Sequence, residues 1–239
     1  MSPIAENLQA VRCRISEALQ GDSRAVTLVA VSKTQPASRV AEALDAGQRD
    51  FGENYVQEAV AKIAQLAGRG ATWHFIGHLQ GNKAREVACH FDWVHGVDRE
   101  RIADLLSRHR PEGLAPLQAL VQVNISEEAT KAGVRPEEAL ALARHVASLP
   151  RLRLRGLMGM ASPSGDAARV RAEFAVLRRT FESLRSAGLS PDTLSMGMTQ
   201  DFPSALAEGA TMLRIGTAIF GARAAKGPEE AAAVAAGQP

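Results

Sequence analysis

Lys33 is the residue whose surroundings suggest chemistry most directly. It follows residues 27–31, an apolar run rich in β-branched side chains that is typical of a strand buried on both faces, and Pro36 marks where the chain turns away. An amine at the carboxyl end of a buried strand has little water around it, and desolvation favours the neutral form that attacks a carbonyl. The hypothesis is a Schiff-base lysine, and the alternative is a lysine that snorkels from the end of its strand.

A second set of candidates lies near the end of the sequence. Ser195, Gly197 and Thr199 end one short apolar run, and Gly216 and Thr217 end the next. Small residues let backbone N–H groups approach a phosphate closely, and hydroxyl groups add further donors. Each segment alone is weak evidence, because glycines near strand ends more often serve packing or turns. Together the two segments resemble a phosphate cup.

Arg214 interrupts an otherwise apolar run, residues 212–215. A buried guanidinium keeps its charge and requires an acceptor, so Arg214 either forms an internal salt bridge with Glu53 or Asp201, or faces a ligand ring or an anion. Asn54 ends another short run and could donate to an oxygen of the same ligand. Its structural alternative is a turn or cap residue.

The remaining lysines and the histidines give weaker signals. Lys131 is the second candidate amine, because it follows an apolar run together with Glu127 and Glu128, which are expected to form a solvated loop. The other lysines are expected to lie in polar surroundings. His74 and His78 are four residues apart, a spacing that suits a metal on a helix but separates the two side chains on a strand, so we expect no metal site.

The elements that position these residues alternate regularly between short apolar runs and amphipathic patterns. The predicted strands end near the candidate residues and are 27–33, 50–55, 73–78, 93–97, 119–125, 154–160, 193–198 and 212–220. The predicted helices are 4–19, 38–46, 56–66, 82–90, 99–109, 136–149, 170–187 and 203–208. Eight such units predict an α/β fold, a single (β/α)8 TIM barrel with an extra N-terminal helix.

This barrel prediction sets the expected domain boundaries and the place of the site. Residues 1–22 would form the N-terminal helix packed on the barrel, residues 23–223 the barrel, and residues 224–239 a flexible tail. The site of such a barrel lies at the carboxyl ends of its strands, and the loops after strands seven and eight often hold a phosphate. Ser195, Gly197 and Thr199 mark the end of strand seven, and Gly216 and Thr217 follow Arg214 in strand eight, so the residue types near those two loops agree with this rule.

Composition excludes several functions. The 239 residues carry a formal charge of +2, too small to suggest a nucleic-acid or membrane-surface partner. Two cysteines cannot form a disulfide framework, and no stretch reads as a signal peptide or membrane span. We therefore expect a soluble cytoplasmic protein.

Several motifs together resemble the pyridoxal phosphate homeostasis protein family, the YggS and PROSC group. The resemblance covers about residues 28–221, nearly the whole chain, with only ordinary variation such as Thr199 where serine is common. The segments that carry it are 30–34 (AVSKT), 51–58 (FGENYVQE), 73–83 (WHFIGHLQGNK), 157–160 (LMGM), 194–201 (LSMGMTQD) and 214–221 (RIGTAIFG).

The resemblance implies a barrel like the N-terminal domain of alanine racemase, with pyridoxal 5′-phosphate (PLP) held as an aldimine on Lys33. It also implies that Ser195, Gly216 and Thr217 hold the phosphate. By the same resemblance Arg214 would face the pyridine nitrogen, and Asn54 would lie beside the ring. These are the cofactor-binding residues that the family pattern predicts, and it predicts no catalytic residue.

The resemblance also favours a carrier over an enzyme. A guanidinium opposite the pyridine nitrogen leaves that nitrogen unprotonated and weakens the ring as an electron sink, so a racemase with this arginine needs a second acid/base group. In alanine racemase-like enzymes that group is a tyrosine from an additional domain across a dimer interface. Here Tyr55 is the only tyrosine, and the segment after Phe220 is too short for such a domain.

The leading hypothesis is therefore a monomer that binds PLP reversibly in vitamin B6 homeostasis and amino-acid balance, with PLP-dependent apoenzymes as candidate recipients. The alternatives are a PLP-dependent amino-acid racemase or decarboxylase, and a Schiff-base aldolase that uses Lys33 without a cofactor.

Overall fold

The structure is a computed structural model that describes residues 2–126, 128 and 131–221. Eight parallel strands pair in sequence order and close into a barrel, with β8 hydrogen-bonded to β1. The strands are β1 (Thr27–Val31), β2 (Asp50–Glu53), β3 (Thr72–Phe75), β4 (Trp93–Val97), β5 (Leu117–Gln122), β6 (Leu152–Met158), β7 (Thr193–Ser195) and β8 (Met212–Ile215). The predicted (β/α)8 TIM barrel is confirmed.

Helices cover the outside of the barrel and separate successive strands. Within the described residues the α-helices are α1 (Pro3–Leu19), α2 (Ala37–Asp45), α3 (Val56–Gln65), α4 (Ala84–His90), α5 (Glu100–His109), α6 (Ala139–Ser148), α7 (Ala167–Ser186), α8 (Phe202–Ala207) and α9 (Thr217–Phe220). Short 3-10 turns, Gly81–Lys83 and Pro136–Glu138, lead into α4 and α6. None of these helices is long and apolar enough to cross a membrane.

The leading helix α1 begins where the sequence supplies a cap. The Ser2 hydroxyl accepts a hydrogen bond from the backbone N–H of Ala5 (3.3 Å), and Pro3 occupies the first turn, where its missing N–H costs nothing. Ile4, Leu8, Val11 and Ile15 share one buried face. Through that face α1 packs against α2, α8 and α9.

The main difference from the predicted elements lies after β8. The prediction continued this strand to Phe220, but β8 ends at Ile215 and Thr217–Phe220 forms the helical turn α9, in which the N–H of Phe220 donates to the carbonyl of Gly216 (2.9 Å). The prediction was wrong here because an apolar run of this length fits a buried strand and a buried helical turn equally well. The predicted tail, residues 224–239, and Glu127 lie outside the described residues.

Candidate cofactor site at the barrel mouth

Lys33 lies in a tight turn at the carboxyl end of β1. The strand ends at Val31, and the N–H of Gln35 donates to the carbonyl of Ser32 (3.0 Å), so Lys33 and Thr34 form the centre of the turn. Thr34 has a φ of 65°, which a β-branched residue rarely adopts. Its N–H donates to Glu58 Oε1 on α3 at 2.6 Å. The half-buried Lys33 is thus presented by a strained turn that neighbouring groups hold in place.

A buried ion cluster supports this turn from below. Lys62 is only 4% exposed, and its ammonium donates to the carbonyl of Ser32 (2.7 Å), to Glu53 Oε1 (2.8 Å) and to Glu58 Oε1 (2.5 Å). The Ser32 hydroxyl also donates to Glu53 Oε1 (2.6 Å). The other lysines are predicted to lie in polar surroundings, and the partners of Lys62 are indeed polar, but α3 turns this lysine inward beneath β1 and β2 and buries it.

Burial raises the pKa of Glu53 above its usual value, against the opposing effects of the Lys62 ammonium and the Ser32 hydroxyl. Neither carboxylate of the cluster reaches Arg214 within salt-bridge distance. The sequence could have indicated the cluster, since Glu58 and Lys62 have the i,i+4 spacing of a helical ion pair. It could not have shown that the pair is buried.

Arg214 lies inside the barrel near its carboxyl mouth and is 5% exposed. Nη1 donates to Ser195 Oγ (2.6 Å) and Nη2 donates to the carbonyl of Gly159 (3.1 Å). Both partners are neutral. The structural alternative, a salt bridge to Glu53 or Asp201, is absent among the described residues, although Asp201 is near enough to raise the pKa of Arg214. Burial is the larger effect and lowers that pKa to about 10, so the guanidinium stays charged at neutral pH.

Ser195 ends β7 and lies beside Arg214 in the barrel interior. Its hydroxyl contacts Arg214 and also lies 3.1 Å from His95 Nδ1. Gly197 follows Ser195 and links the two segments, because its carbonyl accepts a hydrogen bond from the N–H of Arg214 (3.0 Å). Its φ is 94°, a conformation that favours glycine. A Cβ at Gly197 would come within 2.7 Å of the Ala205 Cβ, so no larger residue fits there.

Gly216 and Thr217 lie beside the Lys33 turn because the barrel closes between β8 and β1. Ala30 pairs with Ile215, and Gly216 follows immediately at the end of that register. Thr217 is exposed at the start of α9, where the first N–H groups of the turn have no partner within the helix. Thr217 and these donors therefore follow β8, the strand that pairs with the strand preceding Lys33.

Asn54 follows β2, which is the other neighbour of β1. Its Oδ1 atom is buried and has no hydrogen-bond donor among the described residues. The backbone of Asn54 lies against Gly77, where a Cβ would come within 2.5 Å of the Asn54 carbonyl oxygen. A glycine at the end of β3 therefore lets Asn54 approach the centre of the mouth.

The six residues that the family pattern predicts thus lie on one arc of the mouth, formed by the neighbouring strands β7, β8, β1 and β2. Lys131, the second candidate amine, follows β5 on the far side. Its ammonium lies 3.1 Å from Glu128 Oε1 and 3.2 Å from Ser162 Oγ. Near it is a cavity of about 570 Å³ lined by His78, Asp98, Arg99, Lys131, Ala132 and Gly133.

The spacing of His74 and His78 in the sequence raised only the question of metal binding. It did not indicate the contact that His74 makes with His95. His74 lies in the barrel interior, whereas the His78 side chain is 55% exposed, so the two do not meet. Instead His74 Nδ1 lies 3.0 Å from His95 Nε2. No signal in the sequence predicts this pair, which lies on two strands. Among the described residues no group of three or more His, Cys, Asp or Glu side chains could hold a metal ion.

Comparisons with known proteins agree with this architecture. The family model described as the alanine racemase N-terminal domain matches residues 3–224. The pyridoxal phosphate homeostasis protein of Pseudomonas aeruginosa is 55% identical over 226 residues, which cover 93% of this chain and 97% of that protein. The chain belongs to the pyridoxal phosphate homeostasis protein family.

Solved structures place this family member among similar barrels. PipY of Synechococcus elongatus has been solved without PLP, with a TM-score of 0.82 at 42% identity, and with PLP bound, with a TM-score of 0.80 at 40% identity. Both alignments cover 91% of this chain and 100% of the PipY chain. An alanine racemase of Clostridium difficile gives a TM-score of 0.72 at 14% identity, covering 92% of this chain and 58% of the racemase. The racemase likeness shows the fold alone.

Proposed function

We propose that this protein binds pyridoxal 5′-phosphate reversibly through Lys33 at the barrel mouth and acts in PLP homeostasis as a carrier. The observation that supports the proposal is the strand order β7, β8, β1 and β2, since these neighbouring strands carry Ser195, Arg214, Gly216, Lys33 and Asn54 at or near their carboxyl ends. Its relative PipY, at 40% identity, has been solved with PLP bound.

The residues present fit the cofactor. An anionic phosphate suits the N–H groups of Gly216 and Thr217, and an uncharged ring nitrogen suits a permanently charged donor such as Arg214. The buried Asn54 Oδ1 atom lacks a donor among the described residues, as expected of a group that meets a bound molecule. The bound cofactor supplies an aldehyde that condenses reversibly with a primary amine.

Each side chain then has a stated task. The turn at Ser32 presents the Lys33 amine, and Gly216 and Thr217 hold the phosphate. Arg214 would donate to the ring nitrogen, and Asn54 would lie beside the ring, with its Oδ1 atom available to accept from a ligand hydroxyl. The family pattern also assigned Ser195 to the phosphate; because its buried hydroxyl contacts Arg214 and His95, we propose that it acts through Arg214 instead.

Two features favour a carrier over a PLP-dependent enzyme. The cation at Arg214 disfavours protonation of the ring nitrogen, which weakens the cofactor as an electron sink. Tyr55, the only tyrosine of the sequence, is 52% exposed, so the described fold does not hold it as the second acid/base group that a racemase with this arginine needs. We propose a monomer of the cytoplasm, where both cysteines stay reduced, with PLP-dependent apoenzymes as recipients.

The test compares two lysines on opposite sides of the mouth. Wild type, Lys33→Ala and Lys131→Ala are titrated with PLP and followed by absorption. We expect a new visible band in wild type and in Lys131→Ala, and none in Lys33→Ala. Borohydride reduction followed by peptide mass analysis should place the added cofactor mass on the peptide that contains Lys33.

Other outcomes would overturn parts of the proposal. An unchanged band in Lys33→Ala would remove Lys33 from the role, and loss of the band in Lys131→Ala alone would move the amine to the far side. Steady turnover of an amino acid that disappears in Lys33→Ala would make the protein an enzyme. Trapping of a carbonyl substrate on Lys33 without PLP would favour an aldolase.

A further inference from the structure

A column of polar side chains runs through the interior of this barrel, where branched apolar residues are usual. Asp50 Oδ1 lies 2.9 Å from His74 Nε2, and His74 Nδ1 lies 3.0 Å from His95 Nε2. His95 Nδ1 lies 3.1 Å from Ser195 Oγ, which accepts from Arg214 Nη1 at 2.6 Å. Every contact is direct, so the column needs no bridging water.

The column connects the two ends of the barrel. Asp50 is the first residue of β2, at the amino end, and its side chain is 29% exposed. His74, His95 and Ser195 are each fully buried, and Ser195 ends β7 at the opposite, carboxyl end. A group that touches solvent at the base of the barrel is therefore linked through hydrogen bonds to the guanidinium at its mouth.

Aromatic packing isolates the middle of the column. The ring of Trp93 stacks on His74 with centroids 5.3 Å apart and planes 15° from parallel. The guanidinium of Arg155 lies 4.7 Å from the centroid of the Trp93 ring. This stack shields the His74 ring, so its hydrogen bonds are confined to Asp50 and His95.

With neutral imidazole rings between them, the two ends of the column fix the direction of every hydrogen bond. A carboxylate only accepts, so His74 donates from Nε2, and a neutral His74 ring then presents a lone pair at Nδ1. His95 must then donate from Nε2 and accept at Nδ1, which orients the hydroxyl hydrogen of Ser195 toward His95. A guanidinium only donates, so the remaining lone pairs of Ser195 face Arg214.

His95 is neutral in this arrangement. Burial is the largest cause that holds the pKa of His95 well below its usual range, and the cation at Arg214 acts in the same direction. In a neutral His95, a proton on Nε2 gives both ring nitrogens a matched partner in the column.

We infer that Asp50, His74 and His95 form a directed relay that makes Ser195 a hydrogen-bond acceptor and thereby positions Arg214 toward the cofactor. The inference deepens the proposed function and rests on it for the identity of the ligand. Ser195 acts on the cofactor through Arg214, because its own hydrogen is committed inward to His95. The residues of the relay are positioning residues, and none touches the cofactor.

The first experiment needs no cofactor. In full-length protein labelled with ¹⁵N, the imidazole nitrogen shifts of His74 and His95, assigned with His74→Gln and His95→Gln variants, report which nitrogen carries the proton at neutral pH. We expect both rings to be neutral with the proton on Nε2. A proton on Nδ1 of His95, or a doubly protonated His74, would reverse the relay and overturn the inference.

The second experiment changes the far end of the column. Asp50→Ala should weaken PLP binding about fivefold or more and shift the absorption maximum of the bound cofactor, although Asp50 lies at the opposite end of the barrel. Asp50→Asn should restore both values toward wild type, because its amide oxygen can still accept from His74. The control is Asp92→Ala, which removes an exposed carboxylate at the same end of the barrel. Within the described residues this carboxylate accepts a hydrogen bond only from the N–H of Trp73.

The outcomes separate this inference from the proposed function. Suppose that Asp50→Ala folds as wild type and changes the ¹⁵N imidazole shifts of His95, yet binds PLP with unchanged affinity and spectrum. In that case the inference is wrong and the proposed function stands. If wild type fails to bind PLP, the proposed function fails, and with it the role of the relay at the cofactor. The imidazole shifts would then still decide the direction of the hydrogen bonds.

Discussion

Two cations are buried near the mouth of this barrel, and their surroundings differ. The Lys62 ammonium uses all three of its N–H donors within the fold, two of them on carboxylates. Arg214 has five donors, of which the hydrogen bonds among the described residues use two, both on neutral groups. The charge of Lys62 is therefore met by carboxylates inside the fold, whereas Arg214 has donors and a charge that its neutral hydrogen-bond partners leave unmatched.

The difference shows how a buried charge can be assigned a role. A buried cation whose donors and charge are matched inside the protein holds structure, and Lys62 holds the turn that presents Lys33. A buried cation with neutral partners costs desolvation that the fold itself does not offset. Such a site is expected where a ligand completes it. Three predictions follow this comparison, from the largest expected effect to the smallest.

Lys62→Met should cause the largest loss of stability. Removing one partner of a buried ion pair leaves Glu53 uncompensated, which costs about 3–5 kcal/mol of unfolding free energy. Chemical denaturation followed by circular dichroism measures the loss. Lys83→Met, the same exchange at a partly exposed lysine, is the control and should change stability by less than about 0.5 kcal/mol. A similarly small loss in Lys62→Met would show that the cluster is not stabilising.

Arg214→Met should cost little stability and instead weaken PLP binding. The fold loses two hydrogen bonds to neutral groups, about 1–2 kcal/mol in total, while PLP binding should weaken about tenfold or more, equivalent to about 1.4 kcal/mol. Denaturation and PLP titration in one buffer give both values. A large loss of stability with unchanged affinity would place Arg214 in the same structural class as Lys62 and remove the contrast.

Glu53→Gln should alter the pH dependence of stability by a smaller amount. Burial raises the folded-state pKa of Glu53 above the unfolded value of 4.5. The stability linked to its protonated form is therefore fully present below pH 4.5 and is lost as the pH rises through the folded pKa. Glu53→Gln cannot ionise and should lack this decline, as measured by unfolding free energies from pH 4 to pH 8.

A matched exchange isolates the effect of burial in that series. Glu17→Gln changes the same charge on the exposed face of α1 and should keep the wild-type slope. A Glu53→Gln curve parallel to wild type would mean that the Lys62 ammonium compensates the burial of Glu53 in full. Ionisation of Glu53 would then cost no unfolding free energy at any pH of the series.

The sequence alone predicted what depends on neighbouring residues. Apolar runs and helical spacing gave eight strand and helix units and hence the barrel, because side-chain periodicity reports which face of an element is buried. The same patterns marked Lys33, Asn54 and Ser195 at strand ends and Arg214 within an apolar strand. Boundaries were less certain, as the helical turn Thr217–Phe220 shows, because a short apolar run does not distinguish a strand from a helix.

Only the tertiary structure decided which of these strand ends meet. Closure of the barrel sets β8 beside β1, so Gly216 lies next to the turn of Lys33, and it leaves Lys131 on the far side. Closure also brings His95 to Ser195 across 100 positions of sequence, and α3 buries Lys62. These contacts depend on strand stagger and curvature, which are properties of the whole barrel and leave no periodic trace in any one segment.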